Sequence, residues 1–127
     1  MSNIVEDTTP ELGGELDCGA HSIGFTAQSA TGDGTTTIDW GLGNLFNFTF
    51  ADFVSETFTF TAPAKPGVFV LKMTQNSTAD GAATWPGTVK WPGGTAPTIT
   101  ATSSAVDLLR FYYDGTNYYG TFEQNFS

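Results

Sequence analysis

The sequence predicts an all-β fold: an antiparallel β-sandwich, jelly-roll-like, with an extended N-terminal arm. Three observations carry this expectation. Apolar and aromatic residues recur at every second position through most of the chain, which places one face of each strand in a core. Clusters of Gly, Pro, Asn and Asp interrupt these runs at the intervals that turns require. No segment repeats its apolar residues at the helical period, so no helix longer than a turn or two is expected. The 127 residues suit one domain with a real core. Their organisation reads as an arm over 1–22 and a sandwich domain over 23–127.

The arm differs in composition from the rest. It holds five acids, Glu6, Asp7, Glu11, Glu15 and Asp17, and no base. Ile4, Val5, Leu12 and Leu16 have no steady period, and Pro10 with Gly13-Gly14 breaks any helix. Two readings stand: a loose tail, or an extended arm docked on a neighbouring subunit or another protein. The apolar residues favour docking, since a purely solvated tail has no need of them.

The strands follow from Thr35 onward. Thr36, Ile38 and Trp40 alternate with Thr35, Thr37 and Asp39, and Gly41-Leu42-Gly43-Asn44 is a turn. Phe46, Phe48 and Phe50 form the inner side of the next strand, and Phe58 and Phe60 that of the one after. Pro63 and Pro66-Gly67 close it. Phe69, Leu71 and Met73 then face one way, and Val68, Val70 and Lys72 the other. A polar loop covers 76–81. Trp85, Val89 and Trp91 share one side of a further strand, opposite Thr84, Thr88 and Lys90. Pro86 and Pro92 each remove a backbone donor and put that strand at a sheet edge. A short strand over 98–102 precedes a hairpin turning at Asp114-Gly115, where glycine accepts the positive φ of a tight turn. The count is about eight strands.

The last hairpin is apolar on both sides. Leu109, Phe111 and Tyr113 make one face; Val106, Leu108 and Tyr112 make the other, interrupted by Arg110. A strand of an isolated antiparallel sandwich keeps one wet face, so the second apolar face implies a cover, and a sister subunit supplies one. The candidate subunit contacts are Trp85, Trp91, Leu108, Tyr112, Tyr118 and Tyr119. The alternative is that the tyrosines are scattered surface aromatics.

Charge and motifs narrow the chemistry. Four Lys and Arg stand against thirteen Asp and Glu, a net charge of -9, which repels nucleic-acid backbones and anionic membranes. No apolar run is long enough to span a bilayer, and the acidic start has no secretory signal pattern. The single cysteine forms no internal disulfide, so synthesis in a cytoplasm is expected, or a stability that needs no oxidising compartment. Cys18 and His21 lack a third group to orient them as a nucleophilic pair, and one Cys with one His makes no zinc site without carboxylates. Asp33-Gly34 and Asp80-Gly81 read as turns, not calcium loops. Asp39, Asp52, Asp107 and Glu123 lack the pairing that glycoside hydrolysis needs. No metal, cofactor or catalytic residue is expected. The Asn47 and Asn76 glycosylation patterns read as chance matches.

Three stretches carry a resemblance. Asn3 to Asp17, N-I-V-E-D-T-T-P-E-L-G-G-E-L-D, resembles a segment near the N-termini of tail-fibre and virion structural proteins of bacteriophages, with Glu11 where that segment usually has Gln. Thr84 to Thr100, T-W-P-G-T-V-K-W-P-G-G-T-A-P-T-I-T, and Phe111 to Gly120, F-Y-Y-D-G-T-N-Y-Y-G, are similar to a C-terminal β-domain of phage structural proteins. The resemblance implies a trimeric, jelly-roll-like, non-enzymatic virion protein made in the bacterial host cytoplasm. It further implies that Ile4, Val5, Pro10, Leu12 and Leu16 anchor it to the major capsid protein or another virion protein. The arm runs almost directly into the domain with no stalk, which favours a capsid decoration protein or short spike over a full tail fibre. The second expectation is a receptor-binding module on a tail or baseplate, gripping host surface glycans through exposed Trp or Tyr.

Overall fold

A computed structural model of the chain describes residues 11–127. The anchor positions Ile4, Val5 and Pro10 lie outside the described residues. The fold is all-β, with nine strands among the described residues. They are β1 (Gln28–Thr31), β2 (Thr35–Asp39), β3 (Leu45–Thr49), β4 (Glu56–Thr61), β5 (Gly67–Thr74), β6 (Ala83–Thr84), β7 (Val89–Lys90), β8 (Val106–Tyr113) and β9 (Tyr118–Phe126). One sheet has six strands in the order β1-β3-β5-β8-β9-β7, and the other has three in the order β2-β4-β6.

The antiparallel pairing expected of a jelly roll is corrected by this topology. Only β5 with β8 and β8 with β9 run antiparallel. The pairs β1·β3, β2·β4, β3·β5, β4·β6 and β7·β9 are parallel. From β1 to β6 the chain crosses to the opposite sheet after every strand, so each strand pairs with the one two places earlier and runs the same way. The first crossing, Gly32-Asp33-Gly34, is only three residues, enough to span the ~10 Å between packed sheets. Period-two alternation is identical in parallel and antiparallel strands, so the pattern carried no information on direction.

The coil keeps its hydrogen bonds through the bends. Gly32 N–H donates to Thr49 O (2.9 Å), Phe50 N–H to Thr74 O (3.0 Å) and Gln75 N–H to Ala105 O (2.9 Å). On the other side of the same bend, Thr57 N–H donates to Gly34 O and Glu56 N–H to Ala82 O, both at 2.9 Å. Buried polar side chains fill the inside. The Glu56 carboxylate accepts from Gly34 N–H (2.9 Å) and the Thr36 hydroxyl (2.5 Å). Gln75 accepts from Gly81 N–H (3.0 Å) and donates to Thr100 O (2.9 Å). Such groups are tolerated in a bend because the backbone there offers the partners that a buried polar atom needs.

Between the sheets lies an aromatic core. Phe48 meets Phe58 edge-on at 4.9 Å, and Phe60 meets both Phe111 (5.3 Å) and Tyr118 (5.0 Å). Trp40, which the alternation placed in a strand, instead sits in a 3-10 turn over Trp40–Leu42 and is buried against Phe69 at 5.1 Å. Offset and edge-on pairs of this kind add to the burial of large apolar area.

Other boundaries shift for local reasons. The single strand expected around Trp85 is two short ones on different sheets, each at an edge. Pro86 supplies no donor, and its carbonyl accepts from Val89 N–H (3.0 Å), closing a turn between β6 and β7. The segment 98–102 is no strand: its Thr100 N–H is taken by the Asp107 carboxylate at 2.8 Å. β1 gives no period-two signal, because Gln28-Ser29-Ala30-Thr31 has almost no apolar contrast. The hairpin stands as expected, with Gly115 at φ +100 and Asp114 Oδ1 accepting from Thr116 and Asn117 N–H, both at 2.8 Å.

Gly120 on β9 lies beneath the Trp91 ring, and a Cβ there would sit 2.6 Å from Cζ3. The ring is held by Trp85, Phe111 and Phe122, so it has little room to yield. Gly120→Ala is expected to destabilise the fold by about 1–3 kcal/mol, read as a lower urea midpoint with an unchanged slope.

Candidate functional site

The two sheets differ in what they turn to solvent. The outer face of the three-stranded sheet is a threonine array: Thr35 and Thr37 on β2, Thr57, Thr59 and Thr61 on β4, and Thr84 on β6, in register. Its polarity suits a wetted surface, and the Thr37 and Thr59 hydroxyls bond to each other at 2.7 Å.

The outer face of the six-stranded sheet is the opposite case. Alternation turns Val68, Val70 and Lys72 outward on β5, Val106, Leu108, Arg110 and Tyr112 on β8, and Tyr119, Thr121 and Glu123 on β9. Register joins Val68, Tyr112, Tyr119 and Lys90 into one row across four strands. Val68, Tyr112 and Tyr119 are 57%, 53% and 48% exposed. A row of adjacent large apolar groups left in water forgoes roughly 1.5–3 kcal/mol of burial per side chain, which makes it the candidate contact surface.

Charge is also gathered there. Of the chain's four basic residues, Lys72, Lys90 and Arg110 stand on this face. Arg110 forms an ion pair with Glu123, both half-exposed, so the pair adds little to stability. Lys90 Nζ donates to Gly87 O (3.0 Å). The remaining Lys65 is in the loop before β5.

The candidate contact residues divide on this geometry. Tyr112 and Tyr119 are neighbours on the exposed row, and Leu108 is half-buried two rows away, between Lys72 and Glu123. Trp85 and Trp91 are half-buried and pack on the core, Trp85 stacked on Phe58 at 5.0 Å and Trp91 against Phe111 at 5.9 Å. Tyr118 is corrected: it is 2% exposed and belongs to the core. Its alternation partner Tyr119 takes the outward position, because β9 begins with the inward residue paired to Tyr113. Burial, with the charges of Tyr113 and Asp39 nearby, pushes the Tyr118 hydroxyl up to about 12.

The arm residues within the described part are open to solvent. Leu12, Leu16, Ile23 and Phe25 are 67%, 61%, 60% and 56% exposed. Cys18 and His21 meet through the backbone, His21 N–H donating to Cys18 O at 3.2 Å. The first strand starts only at Gln28.

Of the acids weighed in the sequence, Asp107 is the one sunk in the fold. The Thr100 hydroxyl (2.7 Å), Thr100 N–H (2.8 Å), Asn125 N–H (3.0 Å) and Gln124 amide (3.1 Å) all donate to it. Burial pushes its carboxyl up, but these donors outweigh that and hold it below the usual value. A lowered folded-state pKa adds stability above the unfolded value, about 3.9, and loses it as pH falls through the folded one. Asp107→Asn is expected to cost about 2–4 kcal/mol near neutrality and to flatten the fall in Tm below pH ~4, checked by thermal melts across pH. Glu56, overlooked among the acids near strands, is as buried as Asp107; the bland Ser55-Glu56-Thr57 context gave no sign of it.

A second polar knot ties the loop after β3 to the loop after β5. Asp80 accepts from Phe53 N–H (3.2 Å), and Asp52 accepts from the Ser77 hydroxyl (2.9 Å). The Thr78 hydroxyl, with Asn76 and Phe53 N–H, holds the Asp80 carboxyl below its ordinary value despite some desolvation. These contacts account for the carboxylates as loop staples. Among the described residues there is no ligand-sized cleft, no metal-ligating group of three His, Cys, Asp or Glu, and no helix long and apolar enough to cross a membrane.

No family model, curated protein or solved structure matches the chain.

Proposed function

We propose that this chain is a non-enzymatic structural protein of a bacteriophage virion, a homotrimeric capsid decoration (cement) or short head-fibre protein anchored by its N-terminal arm. The body is read as a sandwich of two sheets, a short parallel coil closed by an antiparallel hairpin. The observation that carries the reading is the exposed row Val68, Tyr112 and Tyr119 on the outer face of the large sheet, a surface built to be covered. The resemblance of Asn3 to Asp17, of Thr84 to Thr100 and of Phe111 to Gly120 to phage structural proteins supplies the class of particle. Multivalency supplies the mechanism: many weakly held arms and faces on a repeating shell sum to a stable coat.

The alternative, a receptor-binding module for host glycans, has Tyr112 and Tyr119 as open rings, while Trp85 and Trp91 spend much of their surface on the core. A glycan array separates the two, since a cement protein shows no sugar preference.

The direct test is the protein content of purified virions from the genome that encodes the chain. Many copies per particle are expected, and its absence from the particles would overturn the reading. Removal of residues 1–22 is expected to empty those positions while leaving the body folded; full occupancy by the shortened chain would overturn the anchoring role.

A further inference from the structure

The outer face of the six-stranded sheet and the arm are complementary surfaces, and the single chain leaves both uncovered. The face carries exposed Val68, Tyr112 and Tyr119 together with Lys72, Lys90 and Arg110. The arm carries exposed Leu12, Leu16, Ile23 and Phe25 together with Glu11, Glu15 and Asp17, and residues 11–27 contain no Lys or Arg. We infer that the face is the docking site for the acidic arm, residues 11–25, of a second copy of this chain. The inference rests on the reading of the protein as self-associating and does not depend on the virion assignment.

Charge decides between the covers. In a chain of net charge -9, three of the four bases stand on one sheet face against Glu123, which pairs with Arg110, so Lys72 and Lys90 are left to attract an acidic segment. Packing the face on its own copy would bring one surplus of positive charge, Lys72, Lys90 and Arg110 against Glu123 alone, onto another. Each copy's arm brings carboxylates to these bases and apolar side chains to the tyrosine row.

Geometry agrees. The arm enters at β1, an outer edge of the same sheet. Seventeen residues reach about 50 Å at full extension; even shortened by the turn that His21 N–H closes on Cys18 O, the segment is long enough to cross six strands at ~4.8 Å spacing, so it can leave its own body and lie on a neighbour's. Arm-to-face contact is heterologous, with different surfaces on the two copies. Repeated around an axis it closes a ring, whereas a face packed on itself closes a two-fold dimer. The inferred contact thus supplies the kind of interface a trimer requires.

Charge reversal in the full chain tests this. Glu11→Lys, Glu15→Lys and Asp17→Lys together reverse the arm, and Lys72→Glu with Lys90→Glu reverses the face. By sedimentation at low salt, each set alone is expected to weaken self-association about tenfold or more, and the two sets in one chain are expected to restore it. Restoration excludes misfolding as the cause of either loss. An arm-reversed chain that associates as tightly as the parent would overturn the inference while leaving the oligomer intact. A parent chain that does not associate at all would remove the self-association on which it rests.

Discussion

Phe111→Ala is expected to cost about 3–5 kcal/mol and to leave the protein unfolded or barely folded at physiological temperature. Phe111 is wholly buried on β8. Its ring meets Trp40 at 6.1 Å, Phe60 at 5.3 Å, Trp85 at 6.1 Å, Trp91 at 5.9 Å and Tyr118 at 6.4 Å. Those partners come from both sheets and from the turn after β2, so the ring is where the parallel coil and the antiparallel hairpin share one core. The partners are large and rigid and cannot collapse into the space, which places the cost toward the upper end for such truncations. Total stabilities of small domains are only about 5–15 kcal/mol, so the loss is a large share. Chemical denaturation of the variant checks it; a midpoint within experimental error of the parent's would show that the hairpin packs independently of the coil.

Tyr112→Glu combined with Tyr119→Glu has the largest expected effect on assembly. The residues are direct cross-strand neighbours on the exposed row. Covering them contributes roughly 1.5–3 kcal/mol each, so their replacement by charges is expected to weaken self-association by two or more powers of ten. Both side chains stand outside the core, so folding stability should fall by only about 1 kcal/mol, the cost of setting two like charges opposite each other across the strands. The paired readout is sedimentation for assembly and thermal melting for the fold. A variant that no longer folds would place these rings in the structure of the single chain instead.

How much of this was legible follows from what period-two patterns encode. They report which side of a strand is buried, and on that they succeeded: Phe46, Phe48, Leu71, Met73, Leu109 and Phe111 are all buried. They also marked Tyr112 as outward, and the Asp114-Gly115 turn chemistry fixed the closing hairpin. They are silent on strand direction. The loops at Gly32 to Gly34 and at Gly41 to Asn44 look like ordinary turns, yet they lead across the core to the other sheet. The coil's repeat is also hidden, because Gln28 pairs with Phe46 and Phe46 with Leu71 while Thr35 pairs with Thr57, so no fixed interval recurs. Glu56 and Asp107 were unreadable as buried groups, since their partners are backbone N–H groups and hydroxyls that only the folded bends bring near. Tyr118 and Tyr119 show the limit most simply: a one-residue choice of register decides which ring joins the core and which meets a partner.

Sedimentation equilibrium of the intact chain over a wide range of concentration bears most directly on the covered face. Reversible association to a closed trimer, abolished by glutamate at 112 and 119, is the expected result. A single-chain mass at every concentration would contradict it.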